Sequence, residues 1–149
     1  IASNNGDNGG VALLNAATGA ISKTFADPNG DAVSVVAFSP DSKTVAASIN
    51  EGIDLFDTAS GQVLKTFKEN SSEAQGLAFS PDGKTLASGD QDFNVRLWSV
   101  ALGAQVAQLT GNTESVNAVA YSRDGAFLAS GGDDKTVRIW RFATNAVSG

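Results

Sequence analysis

Neither histidine nor cysteine occurs anywhere in the 149 residues. Nucleophilic catalysis of the Ser-His or Cys-His kind therefore has no base to draw on. Zinc sites built from imidazole and thiolate are excluded for the same reason, and so are disulfides. A chain without cysteine fits a reducing or an oxidising compartment equally. Basic residues are also few, 10 against 16 acidic, for a net charge of -6. That balance argues against nucleic acid or an anionic membrane surface as partner, since both are held by basic patches that release counterions. No apolar run approaches the roughly 18 residues of a membrane span, and the first residues lack the basic, apolar, small-residue order of a signal peptide. The chain begins at Ile1, so further sequence is expected upstream; the cytoplasm is favoured and secretion stays open. The early "NNGDNGG" is glycine-rich but has neither the spacing nor the following helix of a phosphate-binding loop. No segment sustains a helical period.

What the sequence does have is repetition. Apolar residues make up 42% and charged residues 17%, enough for one folded unit. Val11, Ile53, Val95 and Val137 recur every 42 residues, as do Gly19, Gly61 and Gly103, and Phe25, Phe67 and Leu109. The phase slips only in the first unit, by one extra residue and then one fewer. Cancelling slips with anchors still in phase indicate one structural unit used several times.

Within each unit, short runs rich in Val, Ile, Leu and Phe alternate with period two and read as strands. Val33 to Phe38, Thr44 to Ile49, Ile53 to Asp57 and Gln62 to Phe67 form one set. Ala74 to Phe79, Thr85 to Gly89, Val95 to Ser99 and Gln105 to Leu109 form the next, followed by Val116 to Tyr121, Phe127 to Gly131 and Val137 to Arg141. "SPDS", "SPDG" and "SRDG" supply tight turns, with proline suited to the second position and glycine to the fourth. The fold class is all-β, made of four-stranded antiparallel meanders.

The runs "VSVVAFSPDSKTVAAS", "AQGLAFSPDGKTLASGDQDFNVRLWS" and "VNAVAYSRDGAFLASGGDDKTVRIWR" resemble WD repeats, the units of β-propellers, over essentially the whole chain. The resemblance implies four-stranded blades packed around a central channel. It also implies a buried tetrad in which a His, an Asp, a Ser or Thr and the Trp tie loop to strand. The matching residues are Ser88, Asp92 and Trp98 in one blade, and Ser130, Asp134 and Trp140 in the next. Asn70 and Asn112 stand in the histidine places, within Glu69-Asn70 and Gly111-Asn112. Asparagine is shorter and lacks the ring, so the network is expected to close through water or to stay open. The Trp-Asp pair that names the family is here Phe56-Asp57, Trp98-Ser99 and Trp140-Arg141.

Aligned this way, the chain divides into a partial blade at 1–25, blades at 33–67 and 74–109, a partial blade at 116–142 and a tail at 143–149. Fourteen strands are expected. The end sets both contain second and third strands and do not complement one another, so the ring is incomplete. The piece belongs to a longer propeller, or copies of it associate.

Carboxylate pairs remain as candidate chemistry. Asp90 with Asp92, or Asp133 with Asp134, has the composition of a glycosidase pair, and Asp90, Asp92 and Asn94 faintly match half a calcium loop. All sit in repeated hairpin turns where Asp is ordinary turn chemistry. "NSS" at Asn70 is a formal glycosylation sequon and carries no weight here.

Charge placement says more. In a propeller, the loops from fourth to first strand and from second to third emerge on one rim, the top. They hold eleven carboxylates and only Lys68 and Lys135, a formal -9 against +3 elsewhere. Such a field steers cationic partners. Phe93, an aromatic at the tip of an acidic hairpin, is a candidate anchor. The expected function is a noncatalytic scaffold with no cofactor or metal, binding a protein with a basic contact surface. The contact residues would be Glu51, Glu69, Glu73, Asp90, Asp92, Phe93, Glu114, Asp133, Asp134 and Lys135. The alternative is a self-assembling structural subunit whose open terminal blades pair with other copies.

Overall fold

The computed structural model describes residues 2–4, 10–25, 32–50, 52–68 and 73–142. Glu51, Glu69, Asn70, the early acids Asp7, Asp27 and Asp31, and the tail at 143–149 lie outside the described residues. Among the described residues all regular structure is strand, and it falls into four antiparallel sheets. The first holds β1 (Ala2–Asn4), β2 (Val11–Leu14) and β3 (Ile21–Phe25). The second holds β4 (Val33–Phe38), β5 (Thr44–Ile49), β6 (Gly52–Asp57) and β7 (Val63–Lys68). The third holds β8 (Ala74–Phe79), β9 (Thr85–Asp90), β10 (Val95–Ser99) and β11 (Ala104–Leu109). The fourth holds β12 (Val116–Tyr121), β13 (Phe127–Gly132) and β14 (Val137–Arg141). Each is a meander, and β4, β8 and β12 lie side by side at the inner edge.

The sheets repeat in their irregularities as well as their order. Each inner pair shifts register early in its first strand, at Val33/Val36, Ala74/Gly76 and Val116/Ala118. Each outer pair shifts at Leu13/Leu14, Leu55/Phe56 and Leu97/Trp98. Bulges at fixed repeat positions increase local twist and re-aim side chains. Along β10, Val95 and Leu97 face the fourth sheet while Trp98 faces the second.

Stacking of sheets makes the core. Val11 and Phe25 meet Val45 and Phe56; Ile53, Leu55 and Phe67 meet Leu77, Leu86 and Trp98; Val95 and Leu97 meet Val116 and Leu128. Full burial of such a side chain stabilises by about 1.5–3 kcal/mol, so three interfaces hold the stack without disulfides. The approach is closest near Gly89, where a Cβ would lie 2.6 Å from Val116 Cγ1. Only glycine fits there.

The lower turns repeat atom for atom. In "SPDG", the Gly83 N–H donates to the Ser80 carbonyl at 2.8 Å, and Ser80 Oγ donates to Asp82 Oδ1 at 2.7 Å. The serine and aspartate of the other two turns, Ser39 with Asp41 and Ser122 with Asp124, do the same. The fourth residue takes positive φ in all three: Ser42 60°, Gly83 69° and Gly125 72°.

Candidate functional site

The upper rim is built by the β9–β10 and β13–β14 hairpins, by Glu73 just before β8 and by the loop that leads into β12. At the first tip, the Phe93 N–H donates to the Asp90 carbonyl at 3.2 Å and the Asp90 N–H to the Asn94 carbonyl at 3.0 Å. This tight loop forces Phe93 to φ 73°. Its neighbour Lys135 takes φ 60° in the second hairpin, bonded in the same way to the Gly132 carbonyl at 3.2 Å. A bulky residue with positive φ is uncommon and strained. Phe93 is nonetheless 44% exposed, so no core contact accounts for it.

Asp90 requires a correction. It does not line the rim but is fully buried at the end of β9, one residue before the loop, and turns inward. Arg96, one strand across, pairs with both Asp90 and Asp92. Burial pushes the Asp90 carboxyl up to about 6, with the Arg96 charge opposing the shift. Burial acts on Asp92 in the same sense, but hydrogen bonding and charge from Arg96 outweigh it and hold that carboxyl below its usual range. The guanidinium thus occupies the ground between the two carboxylates that a calcium ion or a glycosidic bond would need. Asn94 is turned to the Asp92 carbonyl, at 3.0 Å.

The tetrad positions separate into two halves. Trp98 Nε1 donates to Ser88 Oγ at 3.0 Å and Trp140 Nε1 to Ser130 Oγ at 3.1 Å. Ser130 Oγ donates in turn to Asn112 Oδ1 at 3.4 Å, while Asn112 Nδ2 is buried with no partner. Asp134 belongs to a different set: Thr136 Oγ1 at 2.7 Å, the Thr136 N–H at 3.0 Å and the Thr113 N–H at 3.2 Å. Those hydrogen bonds, from the Thr136 hydroxyl first, keep its carboxyl below the usual range. Asp134 therefore still ties loop to hairpin, but the short amide of Asn112 does not link it to Ser130 and Trp140.

The remaining rim residues are more accessible. Glu114, Asp133 and Lys135 are exposed and Glu73 is half-buried. Glu73 accepts from Ser34 Oγ of the preceding sheet, and Asp133 accepts from Asn117 Nδ2 at 2.6 Å. Reading loops alone missed Arg96 and Arg138, whose guanidiniums reach up from the strands to Asp92 and Asp134. They lower the acidic excess that the loops suggest. The signal was available as the repeated Asp-x-x-x-Arg of Asp92–Arg96 and Asp134–Arg138.

A sheet stack of this geometry, with Trp–Ser pairs at fixed repeat positions, defines the propeller class of repeat proteins. Comparison with known families gives the particular one. The model of the WD domain, G-beta repeat, matches residues 61–99 and 103–141, just over half of the chain, so the chain belongs to the WD40-repeat family. The solved structure of U3-55K superposes with a TM-score of 0.71 at 24% identity, and the crystal structure of the RRP9 WD40 repeats with 0.71 at 25%. In both cases 74% of this chain is covered, and the chain spans 36% of the other's length. No curated protein matches it. Proteins of this family typically serve as interaction scaffolds and are generally noncatalytic.

Proposed function

We propose that the upper rim docks a protein partner with a basic contact surface, with Phe93 as anchor and Glu73, Asp92, Glu114 and Asp133 as the selecting charges. The Asp134 side chain is only 3% exposed and serves the hairpin instead. The observation that carries this reading is Phe93 itself: a bulky aromatic held at φ 73° and left exposed, where the next hairpin has Lys135. Strain retained without a packing contact is characteristic of functional surfaces, and exposed aromatics supply anchoring area at low entropic cost. The same field repels nucleic acid and anionic lipid. A photo-crosslinking residue placed at position 93, with the exposed position 64 as control, tests the reading. A protein captured at 93 should bind the purified chain, weaken with added salt, and lose at least about ten-fold in affinity in Phe93→Ala. Unchanged binding by Phe93→Ala and by Glu114→Gln with Asp133→Asn would end the assignment.

Self-association is the second reading, favoured by the outer face of the fourth sheet. Val137 and Ile139 are 73% and 61% exposed, whereas their repeat equivalents Val95 and Leu97 are buried against the next sheet. A second copy would cover that face in head-to-tail fashion. Sedimentation over a concentration series, with Ile139→Glu as the disrupting variant, separates this from rim binding by a monomer.

A further inference from the structure

The lower face repeats a contact. Pro40 Cδ lies 3.6 Å from where a Cβ on Gly83 would be, and Pro81 Cδ lies 3.6 Å from the same point on Gly125. Beside each contact a hollow opens between neighbouring sheets, about 460 Å³ between the second and third and about 380 Å³ between the third and fourth. Both fall in the range of small-ligand pockets. The second differs in its floor, which is made by Leu97, Tyr121 and Phe142, with the two rings stacked at 5.9 Å. Tyr121 stands where Phe38 and Phe79 stand in the earlier repeats, so its hydroxyl is particular to this hollow.

Asp82 and Asp124 edge the hollow, and among the described residues no basic side chain lines it. Lys84 and Arg123, from the same turns, are exposed and lie outside the lining. On Asp82 the hydrogen bonds from Ser80 Oγ and the Lys84 N–H both fall on Oδ1, at 2.7 and 3.1 Å. On Asp124 those from Ser122 Oγ and the Ala126 N–H also fall on Oδ1, at 2.6 and 3.0 Å. Each carboxylate keeps Oδ2 for another donor. The serine hydroxyls hold both carboxyls below their usual range, so both are ionised at neutral pH. Burial, then the Asp82 charge, pushes the Tyr121 phenol up to about 12, so it keeps its proton.

An aromatic-floored hollow edged by two carboxylates matches a side chain with an apolar stem and a planar cationic head. The geometry points to an arginine, presented by an extended segment of a protein partner, as the occupant of the groove between the third and fourth sheets. Its guanidinium stacks on the Tyr121–Phe142 pair and donates to the Oδ2 atoms of Asp82 and Asp124. Lysine offers a point charge without the stacking plane. The site lies on the face opposite the Phe93 rim and stands or falls independently of it.

Tyr121 is the only tyrosine in the chain, so incorporation of 3-fluorotyrosine gives a single fluorine resonance inside the groove. The probes are acetyl-Ala-Arg-Ala-amide, its lysine counterpart and its uncharged citrulline isostere. A saturable shift is expected with the arginine peptide, weaker with lysine and absent with citrulline. Asp82→Asn and Asp124→Asn keep an acceptor for the turn, and each should weaken the arginine peptide roughly five-fold or more. Equal response to citrulline, or no saturable response to arginine, overturns the proposal. A shift that follows protein concentration without peptide would assign the groove to a second copy and overturn it as well.

Discussion

Phe67 and Trp98 stack with ring centroids 5.5 Å apart and planes 1° from parallel, although one ends a blade and the other sits in the third strand of the next. Phe25 and Phe56 repeat the relationship one blade earlier, at 5.8 Å and 13°. Ring stacking between sheets joins neighbouring blades where no main-chain ladder crosses. Phe67→Ala should therefore destabilise by about 3–5 kcal/mol, and Phe67→Leu by much less, because Leu109 holds the equivalent repeat position against the core of the next interface. Urea unfolding followed by tryptophan fluorescence checks both. Equal losses from the two variants would show that the aromatic stack itself, and not the space it fills, carries the stabilisation.

The burial of Asp90 makes a pH prediction. Its folded carboxyl is raised to about 6, above the ordinary value of 3.8. A raised folded value favours the protonated form in the native state. The stabilising contribution is complete below the unfolded value and is lost as pH rises through about 6. Asp90→Asn lacks this dependence while keeping an acceptor for Arg96. The stability of the variant relative to the parent should accordingly increase between pH 4 and pH 7, by about 2–3 kcal/mol at most. Urea midpoints at the two pH values measure it, and a constant difference would mean that Arg96 fully compensates the burial.

Ser42 carries strain that its repeat equivalents avoid. At φ 60° it occupies the position held by Gly83 and Gly125, whereas the Thr58 hydroxyl bonds only its carbonyl. Left-handed backbone costs a residue with a Cβ about 1–2 kcal/mol, and the greater freedom of glycine in the unfolded chain offsets part of the gain. Ser42→Gly should stabilise by about 0.5–1 kcal/mol and Gly83→Ser should destabilise by a similar amount. Denaturation midpoints of the pair check the sign in both directions.

The strands were legible in the sequence because blades stack in register: Val11, Ile53 and Val95 keep their spacing by filling the same place between sheets. The turns were legible because "SPDG" has one favourable geometry. The rim was less so. In sequence Asp90 and Asp92 are two aspartates of one acidic hairpin, but in space the last strand residue points inward and the loop residue outward. Strand periodicity decides between them, and a loop count ignores it. Arg96 was hidden for a related reason, since a strand position does not show how far a long side chain climbs.

Asn112 is where the sequence departs most from its family, and it can be tested by reversal. Its Oδ1 accepts weakly from Ser130 at 3.4 Å, its Nδ2 has no partner, and the residue is buried. A buried unsatisfied amide costs about 1–3 kcal/mol. Asp134, the acid that the family resemblance pairs with histidine here, is held separately by Thr113 and Thr136. An imidazole spans farther than a carboxamide and has two nitrogens, one to meet Ser130 and one to meet Asp134. Asn112→His should therefore stabilise the last blade by about 1 kcal/mol, despite some cost of fitting the ring into a packed site. The added stability should depend on Asp134, so a double-mutant cycle with Asp134→Asn distinguishes a joined network from simple filling of space. Zero coupling energy would show that the two halves are independent by geometry and not for want of histidine.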